Sequence, residues 1–335
     1  MQYAVLGKTG LKISRIGFGG IPIQQLDQEA ANRLIGETVA KGINFIDTSR
    51  IYNGSEELLG NALKGLRDKV YLATKSMTRD VEGLEKDLRK SLDSLQTDHI
   101  ELYQFHNIGN IADFNKVMAP GGGLELLLKY KEQGVIGHIG ITSHSLPIIE
   151  KALEYEVFET IQYPYNAVEQ QAEEVFKRAK ARNVGVIAMK PFAGGAITSA
   201  REALKFILEN ENVTCAIPGM DKIEQLEQNI SAADGVPLSA EDREALLKGA
   251  KELGETFCRR CGYCQPCPSG INIPMVFIVE GYYTRYGLAD WAMERYASLP
   301  AKADACTKCG TCEPKCPYKL PIRAMLEKAG KILKR

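Results

Sequence analysis

The sequence predicts an α/β fold: a (β/α)8 barrel with an N-terminal β-hairpin cap, followed by a smaller, mainly helical C-terminal domain. Three observations carry this. From residue 16 to about 231, eight short apolar runs alternate with longer amphipathic stretches. Two short apolar runs flanking a glycine-bearing turn precede them. Eight of the nine cysteines lie from Cys258 onward, where the composition changes.

Taken in order, residues 3–6 and 12–13 flank Gly7-Lys8-Thr9-Gly10, a hairpin placed to cap one end of the barrel. The eight expected strands are 16–18, 45–47, 70–74, 100–105, 138–142, 160–163, 185–189 and 214–218. Helical patterns fall at 27–41, 55–63, 80–95, 124–133 and 170–182, with Asp27 and Ser55 as expected N-caps ahead of acidic first turns. Strands each followed by a helix close into a (β/α)8, or TIM, barrel. After the last barrel helix, Gly235-Val236-Pro237-Leu238 breaks the pattern, and Ser239 caps a helix running to about Leu253. The expected domains are therefore 1–254, the barrel, and 255–335, the cysteine domain.

At 335 residues the chain can bury a large core. Lys+Arg and Asp+Glu both number 42, so no basic excess points to nucleic acid. No run of 18 or more apolar residues suggests a membrane span, and the N-terminus shows no secretory signal. A cytoplasmic location is expected. The basic tail, 328–335, reads as a solvated helix end, and Cys215, in an apolar run, as a small core residue.

The remaining cysteines form two runs: Cys258-x2-Cys261-x2-Cys264-x2-Cys267-Pro268 and Cys306-x2-Cys309-x2-Cys312-x3-Cys316-Pro317. Disulfides would need an oxidising compartment. Structural zinc would usually pair two Cys-x2-Cys knuckles well apart in sequence. Compact runs ending in Cys-Pro resemble the dicluster ferredoxin pattern, in which three cysteines hold one [4Fe–4S] cluster and the fourth reaches across to the other. That resemblance implies a ferredoxin-like domain with two [4Fe–4S] clusters, one on Cys258, Cys261, Cys264 and Cys316, the other on Cys306, Cys309, Cys312 and Cys267. The first run departs from the pattern by one residue before Cys267. Between the runs, residues 274–299 read as helical, and their aromatics (Tyr282, Tyr283, Tyr286, Trp291 and Tyr296) are expected to pack around the clusters.

In such a barrel the reactive residues sit where strands end. Asp47, Lys75 and His106 stand at three strand ends, and Tyr52 follows Asp47 by five residues. Singly they have ordinary readings: a helix cap, a surface lysine, a core histidine. Together with Gly42-Ile43-Asn44-Phe45-Ile46-Asp47-Thr48, Tyr52-Asn53-Gly54-Ser55-Glu56 and Leu102-Tyr103-Gln104-Phe105-His106, they resemble the aldo-keto reductase family over residues 3 to 231. The resemblance implies a nicotinamide-dependent oxidoreductase that interconverts a small-molecule carbonyl (aldehyde or ketone) and an alcohol, with Asp47, Tyr52, Lys75 and His106 as catalytic tetrad. Tyr52 would give the proton, its pKa lowered by Lys75, which Asp47 holds; His106 would orient the carbonyl oxygen.

Cofactor contacts carried over from the same resemblance are Gly19, Gly20, Asp47, Thr142, Ser143, Gln162, Met189, Pro191, Gly194 and Asn229. Met189 stands where many members have a stacking tyrosine. The run Ile217-Pro218-Gly219-Met220 with Gln225, Gln228 and Asn229 lacks the cations that grip the 2′-phosphate of NADPH, so NAD(H) or NADP(H) is expected without preference for NADPH. No flavin signature is evident to split a hydride into single electrons. The cysteine domain stands where the family's substrate loop would be, as an electron relay, with a redox protein partner, or as a structural support. The alternative is an electron-transfer or regulatory iron–sulfur protein that uses the barrel as a platform.

Overall fold

A computed structural model describes residues 1–334; Arg335, the end of the basic tail, lies outside the described residues. Strands β1 (Tyr3–Val5) and β2 (Lys12–Ser14) pair antiparallel, Ala4 opposite Ile13. Their turn packs under the barrel, where the Lys8 N–H donates to the Asn183 carbonyl at 2.6 Å. Leu6 and Ile13 are driven into the barrel's lower interior with Phe45, Leu102, Ile187 and Cys215. Cys215 is thus core filler, as its apolar setting suggests.

Eight parallel strands follow in sequential order: β3 (Phe18–Gly19), β4 (Phe45–Asp47), β5 (Tyr71–Ser76), β6 (Ile100–Phe105), β7 (Ile136–Thr142), β8 (Thr160–Pro164), β9 (Gly185–Met189) and β10 (Cys215–Ala216). Bridges Ile16↔Ala216 and Gly19↔Gly219 join the last strand to the first and close the barrel. A Cβ on Gly19 would stand 2.8 Å from the Ile217 carbonyl oxygen, so barrel closure alone requires glycine there.

The outer layer holds α1 (Gln28–Ala40), α2 (Ser55–Ala62), α3 (Val81–Leu95), α4 (Ile111–Met118), α5 (Gly123–Glu132), α6 (Leu146–Ala152), α7 (Glu173–Ala181), α8 (Ala200–Leu208) and α9 (Ile223–Ser231). Asp27 caps α1 by accepting from the Ala30 N–H at 2.8 Å. Ser55 is not a cap: Gly54, with φ +69°, takes that position. The buried Ser55 hydroxyl instead donates to the Gly20 carbonyl at 2.9 Å, tying α2 to the loop after β3. Beyond the barrel, α10 (Ala240–Gly254) is capped by Ser239, whose oxygen accepts from the Asp242 N–H at 3.0 Å.

The cysteine domain builds a buried cluster of its own from α11 (Ile273–Thr284), α12 (Ala289–Ala297) and α13 (Ile322–Ile332). Its two halves repeat. Left-handed residues follow the first cysteines at matching places, Arg260 and Gly262 in one run, Lys308 and Gly310 in the other. After each Cys-Pro the chain turns on one hydrogen bond, Gly270 N–H to the Cys267 carbonyl (2.9 Å) and Lys319 N–H to the Cys316 carbonyl (3.0 Å), then enters a helix. The one-residue shortening before Cys267 is thus absorbed within the first run.

Candidate active site

Parallel pairing sets Asp47 beside Ala73 and Lys75 beside Gln104, so three polar side chains of β4, β5 and β6 meet at the strands' C-terminal ends. The Lys75 ammonium donates to Asp47 Oδ1 at 2.6 Å and to the Thr48 carbonyl at 2.7 Å. Gln104 Nε2 donates to Asp47 Oδ2 at 3.2 Å. Asp47 is 3% exposed and Lys75 1%. Burial pushes the Asp47 carboxyl up and the Lys75 ammonium down, and each opposes the shift of the other.

Tyr52 and His106 complete the group. Their rings meet edge-on with centroids 5.9 Å apart, and Lys75 Nζ lies 5.6 Å from the Tyr52 centroid. Sequence reasoning expects Lys75 to lower the Tyr52 pKa. Instead burial pushes it well above the ordinary tyrosine value, with Asp47, Tyr282 and Tyr286 adding and Arg295 opposing. The lysine's charge is already committed to Asp47, so desolvation of the phenolate wins. Tyr52 therefore keeps its proton at neutral pH. Ser49, which the sequence reading missed, has its hydroxyl 2.8 Å from His106 Nδ1 and 3.0 Å from the Lys75 carbonyl.

Burial pushes His106 well below the ordinary histidine value, helped by the charges of Lys75, Arg79, Arg295 and Lys190. It does the same to His144, whose Nδ1 lies 3.0 Å from Asn107 Oδ1. Below about pH 6.5 the unfolded chain binds protons at these two sites that the folded chain does not, so stability rises with pH. Their contribution is present above about pH 6.5 and is lost as pH falls. The melting temperature should fall between about pH 7 and pH 5, and His144→Gln should make that decline shallower. An equal decline in the variant would contradict this.

The four residues open onto a cavity of about 470 Å³. Gly19, Gly20, Asp47, Gln162, Met189, Pro191, Gly194 and Asn229, all expected as cofactor contacts, border it. Thr142 and Ser143 do not. The Thr142 oxygen accepts from the Asn107 N–H at 2.7 Å, and the Ser143 hydroxyl donates to the Ile108 carbonyl at 2.6 Å, so both serve the loop after β6. Gln162 Oε1 and Asn229 Nδ2 are buried without a partner, which suits amide groups awaiting a polar ligand. At the α9 end, Asp221 and Lys222 also border the cavity; the sequence reading overlooked this lysine. Gln225 is committed to the turn, its Oε1 accepting from the Asp221 N–H at 2.8 Å.

The cysteine domain forms one wall of this cavity. Of the aromatics expected around the clusters, Tyr286 and Trp291 line the cavity, Tyr283 and Tyr296 pack with the domain's own core, and Tyr282 does both. The reason is placement: α11 and α12 lie across the barrel mouth and present one face to each side. A buried ion pair between Arg260 and Glu169 and a hydrogen bond from Arg285 Nε to the Gly194 carbonyl at 2.9 Å fasten wall to barrel. The cysteines ring two small voids. Cys258, Cys261, Cys264 and Cys316 line one; Cys267, Cys306, Cys309 and Cys312, with Cys264, line the other. The first void thus takes three thiols from its own run and Cys316 from across the repeat, and the second takes Cys306, Cys309 and Cys312 with both Cys264 and Cys267 from the first run, so each offers at least the four thiols a [4Fe–4S] cluster requires.

The profile of the Aldo/keto reductase family matches residues 15–203, more than half of the chain. The chain belongs to that family. A second profile, the 4Fe-4S dicluster domain, matches residues 257–321. Among its relatives, the chain is 27% identical over 305 aligned positions to an uncharacterized oxidoreductase, YqkF, of Bacillus subtilis, spanning 75% of this chain and 97% of that one. It is 26% identical to L-galactose dehydrogenase of Arabidopsis thaliana, spanning 73% and 92%. The aldo-keto reductase AKR11C1 from Bacillus halodurans, in its holo form, superimposes with a TM-score of 0.65 at 27% identity, covering 74% of this chain and 96% of that one.

These likenesses make the protein an oxidoreductase with a TIM-barrel fold and an appended 4Fe–4S dicluster domain. Among the described residues no helix is long and apolar enough to cross a membrane. What the family resemblance left unread is the wall contributed by α11 and α12.

Proposed function

We propose that the protein reduces a carbonyl compound to an alcohol with a nicotinamide dinucleotide, or runs the reverse reaction, with Tyr52, Lys75, Asp47 and His106 in catalytic roles. The observation that carries this reading is the buried Lys75–Asp47 pair at 2.6 Å, set between a protonated Tyr52 and a neutral His106 on one cavity. No structural need explains a fully buried ammonium and carboxylate at a strand end beside an open cavity.

Bound nicotinamide supplies or takes up the hydride. The chain's residues manage the oxygen. Tyr52 donates its phenolic proton to the developing alkoxide. The Lys75–Asp47 pair stabilises the phenolate left behind, at the moment when its charge appears. With the Ser49 hydroxyl donating to His106 Nδ1, the neutral ring carries its proton on Nε2, which donates to the carbonyl oxygen and orients it. Gln162 and Asn229 offer their unpartnered atoms to the dinucleotide, and the segment from Pro191 to Gly195 borders its path.

The cofactor expectation follows from charge at the α9 end. Lys222 is offset there by the neighbouring Asp221, and a phosphate dianion needs unopposed cations. The anaerobically purified full chain should oxidise NADH in the presence of small aldehydes and ketones, and bind NADPH no more than about tenfold tighter than NADH, a margin of about 1.4 kcal/mol. Absence of any NADH or NADPH oxidation across such a panel would defeat the reading.

The domain unit 255–335 is proposed to hold two [4Fe–4S] clusters that staple the cavity wall. Its helices supply that wall directly, which favours a structural part for the clusters. A relay reading also has support in one place: Cys258 shares a small void with Lys190 and Tyr286, both of which border the catalytic cavity.

A further inference from the structure

The charges bordering the catalytic cavity do not balance. Asp47 and Asp221 are its carboxylates; Lys75, Lys190, Lys222, Arg285 and Arg295 are its cations. Lys75 is consumed by Asp47, Lys222 stands beside Asp221, and Arg285 pairs with Glu280 at 3.4 Å. Lys190 and Arg295 have no salt-bridge partner among the described residues; nor has Lys222, but of the three it alone adjoins a carboxylate that also borders the cavity, Asp221.

Arg295 is the sharper case. It comes from α12, in the same wall as Trp291, and its guanidinium carbon lies 4.9 Å from the Trp291 ring centroid. Its Nε is buried without any hydrogen-bond partner, so one of the fixed donors of a guanidinium goes unused inside the protein. A buried donor left unsatisfied is costly unless a ligand completes it. Its charge also reaches the reacting residues, opposing the upward shift at Tyr52 and adding to the downward shift at His106.

Lys190 supports the same end. Its backbone is left-handed, with φ +55°, which sets the residue between the barrel and the cysteine domain. Its ammonium lies 5.6 Å from the Tyr282 centroid and 6.0 Å from that of Tyr286, over aromatic faces rather than against a carboxylate. Burial and the charges of Arg260 and Arg285 bring its pKa down to about 7, against the opposing pull of Glu169. An anion arriving there would restore the full ammonium charge.

We infer that the substrate of this site is a carbonyl acid, a compound whose reacting aldehyde or ketone carries a carboxylate that Arg295 and Lys190 receive. This rests on the carbonyl-reductase reading above and narrows it to oxo acids and their hydroxy-acid products. The carbonyl carbon gains hydride from NADH, which leaves as NAD⁺; the oxygen gains the Tyr52 proton; the carboxylate passes through unchanged. Trp291 covers the apolar part of such a molecule, and the guanidinium fork matches a carboxylate in two hydrogen bonds.

Trp291 is the chain's single tryptophan, so its emission reports on this corner directly. The cluster-containing full chain, loaded with NAD⁺ so that no turnover occurs, is titrated with 2-oxobutyrate, 4-oxobutyrate and phenylpyruvate and with their methyl esters, with chloride as the ionic-strength control. At least one acid should shift Trp291 emission saturably and bind at least about tenfold tighter than its ester, as expected for a charge-assisted pair. Arg295→Gln should bring that acid-to-ester ratio towards one, and Arg295→Lys should retain part of it. Equal binding of acids and esters to the unaltered protein, or an unchanged ratio in Arg295→Gln, overturns the inference. The carbonyl-reductase reading is judged separately: acids that bind by this signal yet are not reduced by NADH leave the anion site standing and remove the reaction.

Discussion

Replacing Tyr52 by phenylalanine should lower kcat for carbonyl reduction by about 10²–10⁴-fold while leaving the dissociation constant for the dinucleotide unchanged. The substitution removes one oxygen and keeps the ring, so the edge contact with His106 and the cover over Lys75 persist. Neither His106 nor Lys75 can replace the lost proton donor. His106 is neutral and its Nδ1 is engaged with Ser49; Lys75 is 1% exposed and tied to Asp47 and the Thr48 carbonyl. The direction of the Tyr52 pKa sharpens the expectation. A tyrosine held well above its ordinary value transfers its proton only when strong negative charge develops beside it, so its contribution appears in the transition state and not in ground-state binding. Stopped-flow measurement of nicotinamide oxidation separates that step from dinucleotide binding. Full activity in Tyr52→Phe would favour the alternative in which the barrel is a platform for an electron-transfer protein.

The barrel strands were legible in the sequence because period and punctuation agree there. The runs 45–47, 100–105 and 185–189 match strands β4, β6 and β9, which are almost wholly buried and mainly apolar, with Asp47, Glu101 and Gln104 as the polar exceptions. Strand β10 shrank to Cys215–Ala216 because its remaining pairing to β3 is made through isolated bridges. Ser55 misled as a cap since a hydroxyl before an acidic turn looks the same whether it bonds its own helix or, as here, the Gly20 carbonyl. Three of the four proposed catalytic residues, Asp47, Lys75 and His106, could be placed because they stand at or beside strand ends; Tyr52 lies in the loop after β4. The wall was not readable: Trp291 and Arg295 reach the cavity only because α11 and α12 lie across the barrel mouth, a tertiary fact that no local pattern encodes. Lys222 was missed for a related reason, since its position on the cavity depends on how α9 begins.

The cysteine sets yield the second large expectation, in iron content. If each void holds a cluster, Cys258→Ser and Cys316→Ser should each remove the same half of the iron and sulfide, although 57 residues separate them. The double variant should lose no more than either single one. Cys258→Ser combined with Cys306→Ser should lose nearly all of it, because those thiols border different voids. Four-and-four ligation within each run would give the opposite pairing, with Cys316 grouped with Cys306. The consequence for the barrel follows from where the helices lie. The domain's buried cluster is small and includes Cys264, Cys312 and Cys316 themselves, so metal ligation supplies part of its folding free energy. Loss of the cluster nearest Cys258 should free α11, with Tyr282 and Tyr286, from the cavity, raising KM for the carbonyl substrate far more than for the dinucleotide. Cys267→Ser, on the far void, should raise it less. A relay makes a different demand: kcat should then respond to the oxidation state of intact clusters, which stapling leaves without effect. Assaying the same protein before and after reduction by dithionite separates the two, since reduction changes the electron count while the α11–α12 wall stays in place.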